Sequence, residues 1–120
     1  MNSAKKRTES FIDKYIVPGR AGKGDGLYRM VADSRGADKK TIAAAILKLD
    51  YSDFLKTKYW HLVALQVKNN AGWRCRSCGR HSGLVAHHPY YDLHGYEMYH
   101  IKDLQCLCRE CHERLHGLRA

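Results

Sequence analysis

The sequence has no apolar stretch of membrane-spanning length. Its longest uninterrupted hydrophobic run, Ile42 to Leu47, falls far short of the roughly 18 residues that a span requires. Met1 to Ser10 is polar and lacks the apolar centre of a secretory signal, so a reduced, cytoplasmic protein without membrane contact is expected. Acidic residues are also scarce, 12 Asp and Glu against 21 Lys and Arg, for a net charge of +9. The imbalance is general: eleven basic residues face six acidic ones up to Asp50, and ten face six afterwards. Such an excess draws polyanions, which makes nucleic acid the first partner to consider, with a merely solvated basic surface as the alternative. At 120 residues the chain is too short for two full cores, so stability beyond one core must come from elsewhere, metal being the obvious source.

There is no internal repeat, and there is no phosphate-binding loop. The glycine-rich stretch Pro18 to Gly26 lacks the terminal Gly-Lys-Ser/Thr of that motif, since Gly24 is followed by Asp25. Residues 1 to 10 read as a mobile basic tail whose Lys5, Lys6 and Arg7 are placed to contact DNA phosphates. Asp38 can cap a helix from Thr41 to Leu49, and Ser52 a second from Asp53 to about Asn69, stopped by Asn70, Ala71 and Gly72. In the second, Leu55, Tyr59, Leu62, Val63 and Val67 recur at helical spacing, and with Trp60 they read as a packing face. The first could belong to a helix-turn-helix, although its alanine-rich face suits ordinary packing better. Residues 1–70 are thus a basic tail, a loop and packing helices. After Gly72 the texture changes to closely spaced Cys, His, Gly and aromatic residues, with strands expected at Leu84 to His88 and Leu104 to Leu107 and a helix from Glu110 to Leu118. Residues 71–120 form the second unit, and the whole reads as an α+β fold.

Four of the five cysteines fall into two pairs, Cys75-x-x-Cys78 and Cys108-x-x-Cys111, with 29 residues between them. That exceeds the usual spacing of a four-cysteine zinc site, and a β-hairpin between the two turns accounts for the excess. In a reducing compartment this pattern predicts structural Zn²⁺ rather than disulfides. Cys106, inside an apolar strand, reads as a small buried hydrophobe. His81 lies near the first pair, but four thiolates already close a tetrahedral site.

The histidines carry the second signal. His87 and His88 are adjacent on the expected strand, so their side chains are expected on opposite faces. His112 and His116 are four apart on the expected helix and share a face.

Together these residues resemble the HNH endonucleases, the ββα-metal or His-Me finger family, in the branch with an embedded four-cysteine zinc site. The matching pattern runs from Trp73 to His116: W-x-C-x-x-C-G, then H-H-P-x-Y, a Gly and a Glu, then D-L-x-x-L-C-x-x-C-H and a final His. The resemblance implies a ββα-metal nuclease module over residues 71–120 that cuts the phosphodiester backbone of DNA. It implies His87, His112 and His116 as ligands of a catalytic divalent ion, His88 as general base, and 5′-phosphate and 3′-hydroxyl products. It also marks Tyr91 and Glu97 as recurring positions, read as loop-ordering or phosphate-orienting.

Asp103 stands where the family's middle letter is Asn. The carboxylate could hold the loop and imidazole in place, stabilise an imidazolium as a triad carboxylate does, or reach the metal. Three imidazoles suit Zn²⁺ or Ni²⁺ by affinity, whereas Mg²⁺ or Mn²⁺ would rely more on oxygen ligands from substrate. Imidazole must be neutral to act as a base, so activity is expected to rise with pH through the histidine range. Arg74, Arg76 and Arg80 flank the first cysteine pair and are candidate phosphate contacts. A bacterial or bacteriophage enzyme is implied, with a homodimer or a larger phage or bacterial complex left open. The competing class is a non-catalytic zinc adaptor or DNA-binding protein, which needs the four cysteines but not the histidines.

Overall fold

The basic N-terminus is a helix rather than a tail. In the computed structural model, which describes residues 3–89 and 91–117 with the side chains of Tyr91 and His116 excepted, α1 spans Ser3–Tyr15. The reason is a stripe at helical spacing that continues past the basic residues: Thr8, Phe11 and Tyr15 are buried, and α1 lies against α3. The Thr8 hydroxyl accepts the Asp38 amide, 2.8 Å away, at the start of α3. Lys5 and Lys6 stay exposed on the outer face. Phe11→Ala is therefore expected to cost about 3–5 kcal/mol of stability, whereas Lys5→Ala and Lys6→Ala should leave the melting temperature unchanged. Thermal unfolding of the three variants checks this, and a native-like Phe11→Ala would restore the reading of a mobile tail.

The following helices are α2 (Leu27–Asp33), α3 (Lys39–Leu47), α4 (Tyr51–Phe54) and α5 (Lys58–Asn70). Asp38 caps α3 as expected, its carboxylate accepting the Lys40 amide. The single helix expected from Asp53 is broken in two. The Thr57 hydroxyl accepts the Trp60 amide at 3.1 Å and starts α5 afresh, because a good N-cap inside a helical pattern offers the chain a competing start. Leu55 falls in the turn between α4 and α5 and is exposed, while Tyr59, Leu62, Val63 and Val67 are buried as the spacing predicted. Pro18 to Gly26 is a loop, joined to Thr57 by an isolated bridge at Pro18.

Strand β1 (Leu84–His87) pairs antiparallel with β2 (Gln105–Cys108), Leu84 opposite Cys108 and His87 opposite Gln105. Three short 3₁₀ turns, at 91–93, 97–99 and 101–103, occupy the connection, and α6 (Arg109–Gly117) follows β2 directly. The sequence-based strand ran one residue too far: Pro89 has no N–H to continue a ladder, and β1 stops at His87. Among the described residues the fold is thus α+β, six α-helices and one two-stranded sheet. One hydrophobic core crosses residue 70, joining Phe11, Ile42, Phe54 and Val63 to Met98, Leu104 and Cys106. Among the described residues no helix is long and apolar enough to cross a membrane.

Candidate metal and histidine centre

The two cysteine turns close on each other through the hairpin. Cys75 and Cys78 sit in the turn after α5, Cys108 ends β2 and Cys111 lies in the first turn of α6. The Ser77 and Cys78 amides donate to Cys75 Sγ at 3.3 and 3.4 Å, and the Cys111 amide donates to Cys108 Sγ at 3.4 Å. Gly79, at φ +80°, lets its amide reach back to the Cys75 carbonyl at 2.9 Å. All four sulfurs lie within 4.8 Å of one another, with Cys78 and Cys108 3.7 Å apart. Tetrahedral Zn–S bonds of about 2.3 Å put sulfurs about 3.8 Å apart, so this donor set fits Zn²⁺. Burial opposes ionisation of Cys75, but the backbone amides outweigh it and pull the thiol down to about 6. Cys111, hydrogen-bonded to Cys108 and buried, is pushed up to about 12. A bound cation would stabilise all four as thiolates, and the cluster could hold one. Cys106 stays in the hydrophobic core, its thiol raised by burial, and His81 turns to the Trp73 carbonyl at 3.1 Å.

The second cluster is built from four elements. His87, the last residue of β1, brings its ring to 5.0 Å from that of His112 on α6, near edge-on. His88 has left the strand, so the alternation that would send it to the opposite face no longer binds it. Its ring stacks on Trp60 of α5, 4.9 Å away at 12°, and its Nε2 lies 2.9 Å from Glu97 Oε2. His94 Nδ1 lies 2.7 Å from the same oxygen. Glu97 Oε1 accepts the Tyr59 hydroxyl and the Gly95 amide, each at 3.0 Å, and the Tyr59 oxygen accepts the Met98 amide at 3.1 Å. Glu97 is fully buried and accepts four hydrogen bonds. Burial works against its charge, but the bonds from His88 and His94 outweigh it and hold the carboxyl below the ordinary glutamate value. Burial, then the Glu97 charge, push the Tyr59 phenol well above its usual value.

Gly95 seats this loop on α3. Its φ is +99°, and a Cβ there would stand 3.0 Å from Ala43 Cβ. His87, His88, His94 and His112 line a cavity of about 440 Å³ together with Tyr51, Leu55, Trp60, Ala64 and Lys68.

Family models, curated proteins and solved structures offer no match to this chain.

His87, His88 and His112 come together at one cavity. Asp103 does not join them. It ends the last 3₁₀ turn before β2, half-exposed, with its carboxylate 3.5 Å from His100 Nδ1. The His116 and Tyr91 side chains lie outside the described residues. Arg80 is paired with Glu110 at 2.7 Å on the surface. Arg74 and Arg76 line a shallow groove with Lys102 beside the first cysteine turn. Lys5 and Lys6 are exposed on α1, and the Arg7 guanidinium donates to the Arg35 carbonyl at 3.3 Å. Sequence reasoning missed His94. The signal was its position three residues before Glu97 in a loop already marked as functional. It also read Tyr59 and Trp60 as packing alone, whereas they anchor Glu97 and His88.

Proposed function

We propose that this chain is a metal-dependent DNA endonuclease of the HNH type, with β1, β2 and α6 as its ββα-metal finger and the four thiolates as its structural zinc site. One observation carries the reading: an imidazole fixed by a buried carboxylate, His88 on Glu97, stands at one cavity with the adjacent His87–His112 pair. A nuclease needs this pairing of a held base with neighbouring ligands, and an adaptor does not.

Glu97 is held as an anion, so His88 donates its Nε2–H to it, and the Nδ1 lone pair is the one left for water. His88 takes the proton of the attacking water as its oxygen bonds to phosphorus and the P–O3′ bond breaks. The imidazolium so formed keeps Glu97 as its counter-charge, the role a triad carboxylate plays. His87 and His112, with His116, would hold a divalent ion, which when bound supplies Lewis-acid stabilisation of the phosphate and leaving oxygens. Asp103 orders the turn ahead of β2. The +9 charge, with Lys68 at the cavity and Lys5 and Lys6 on α1, favours the DNA backbone as substrate.

The test is cleavage of supercoiled plasmid by the zinc-loaded chain with Mg²⁺, Mn²⁺, Ni²⁺ or Zn²⁺. Relaxation reports nicking and linearisation reports double-strand cutting. No cleavage with any ion would overturn the reading.

A further inference from the structure

Glu97 Oε2 is shared by two imidazole nitrogens. His88 Nε2 and His94 Nδ1 reach it at 2.9 and 2.7 Å, and all three atoms lie within 4.8 Å of one another. Ligands at about 2.0–2.2 Å around one tetrahedral ion stand about 3.3–3.6 Å apart, so the two nitrogen–oxygen separations need only open by several tenths of an ångström, within the reach of small rotations of the two imidazoles. Two imidazoles and one carboxylate are a donor set for borderline transition ions and a poor one for Mg²⁺. The carboxylate is anchored from behind, where Tyr59 and Gly95 hold Oε1, so Oε2 is presented without reorganisation of the buried side chain. Both imidazoles line the cavity, which leaves room for water on the remaining positions.

We propose that His88, His94 and Glu97 form a third transition-metal site, separate from the thiolate cluster and from the His87–His112 pair, and that Zn²⁺ bound there switches the base off. The binding part stands on geometry alone, and the switching part rests on His88 being the base. The chemistry balances within the ring. A neutral imidazole carries one proton, on Nε2 while that atom donates to Glu97. An ion taking the Nε2 lone pair sends that proton to Nδ1, and the lone pair that would accept the water's proton is gone. The same exchange at His94 moves its proton from Nδ1 to Nε2. Free Zn²⁺ would then act as an inhibitor of cleavage supported by Mg²⁺ or Mn²⁺.

The experiment is calorimetric titration of Zn²⁺ into the full chain with its thiolate site already filled. The wild type should take up exchangeable Zn²⁺ at two sites. His94→Gln, which keeps a donor for Glu97 but removes a good ligand, should lose one of them, its affinity falling at least tenfold, while His112→Ala loses the other. Cobalt in place of zinc gives an independent reading in the wild type, since paramagnetic shifts of the His88 and His94 ring protons need no variant. Unchanged stoichiometry and affinity in a natively folded His94→Gln, or His88 and His94 signals untouched by cobalt, would overturn the site. Should binding follow the expected pattern without any plasmid cleavage, the metal site stands and the nuclease reading falls. Should cleavage occur, the zinc concentration for half-inhibition is expected to rise at least tenfold in His94→Gln, and equal sensitivity would overturn the switch.

Discussion

Serine in place of Cys75 or Cys111 is expected to release zinc and to unfold the chain from the first cysteine turn to the end of α6. The two thiols sit on opposite sides of the cluster, one before the hairpin and one on the helix after it, so either change disconnects the two turns. Around them the local core is small: Leu107 and Leu84 are the hydrophobic residues packed with the cysteines. A two-stranded sheet is marginal without further support. Structural zinc in a small module supplies an apparent 10–16 kcal/mol, as much as the whole stability of a typical domain, so its loss cannot be absorbed. Cys106→Ser is the contrast. Cys106 belongs to the main core, and burying a hydroxyl in place of its thiol costs stability without touching the metal. Metal content by atomic emission and amide exchange over 75–117 separate the two results. Zinc lost from Cys106→Ser and kept in Cys108→Ser would replace the ligand set.

What the sequence revealed and what it hid divide along contact range. The cysteine turns were legible because C-x-x-C encodes a local shape, and the α3 cap because Asp38 and the Lys40 amide are neighbours in the chain. Strand β1 was legible to within one residue. The α4–α5 break was hidden because Leu55 continues the apolar spacing while Thr57 overrides it. The Glu97 cluster was hidden more deeply. It joins α5, the end of β1 and two loop residues, and its partners Tyr59 and His88 lie 38 and 9 residues from Glu97, so no local pattern brings them together. Asp103 stands apart from that cluster, its half-exposed side chain beside His100, a placement that its position in the motif does not specify.

His88→Ala is expected to lower single-turnover cleavage by about 10²–10⁴-fold, the range a positioned base contributes, while metal affinity at His87 and His112 persists. Glu97→Gln should cost as much by a different route. Four donors converge on Glu97, from His88, His94, Tyr59 and Gly95. An amide has one acceptor oxygen, so two of those donors must face its NH₂ group. Each buried donor left unsatisfied costs about 1–3 kcal/mol, and His88 is released to rotate or to change tautomer. Stability should report the same carboxylate. Because the folded state holds Glu97 below its ordinary value, its contribution is fully present above the unfolded pKa of about 4.3 and is lost as the pH falls through the lower folded value. Glu97→Gln should therefore melt lower than the wild type at neutral pH, with the gap closing in acid. A natively folded Glu97→Gln that cleaves at the wild-type rate would reduce Glu97 to a packing role, and loss of metal from His88→Ala would exchange the parts assigned to His87 and His88.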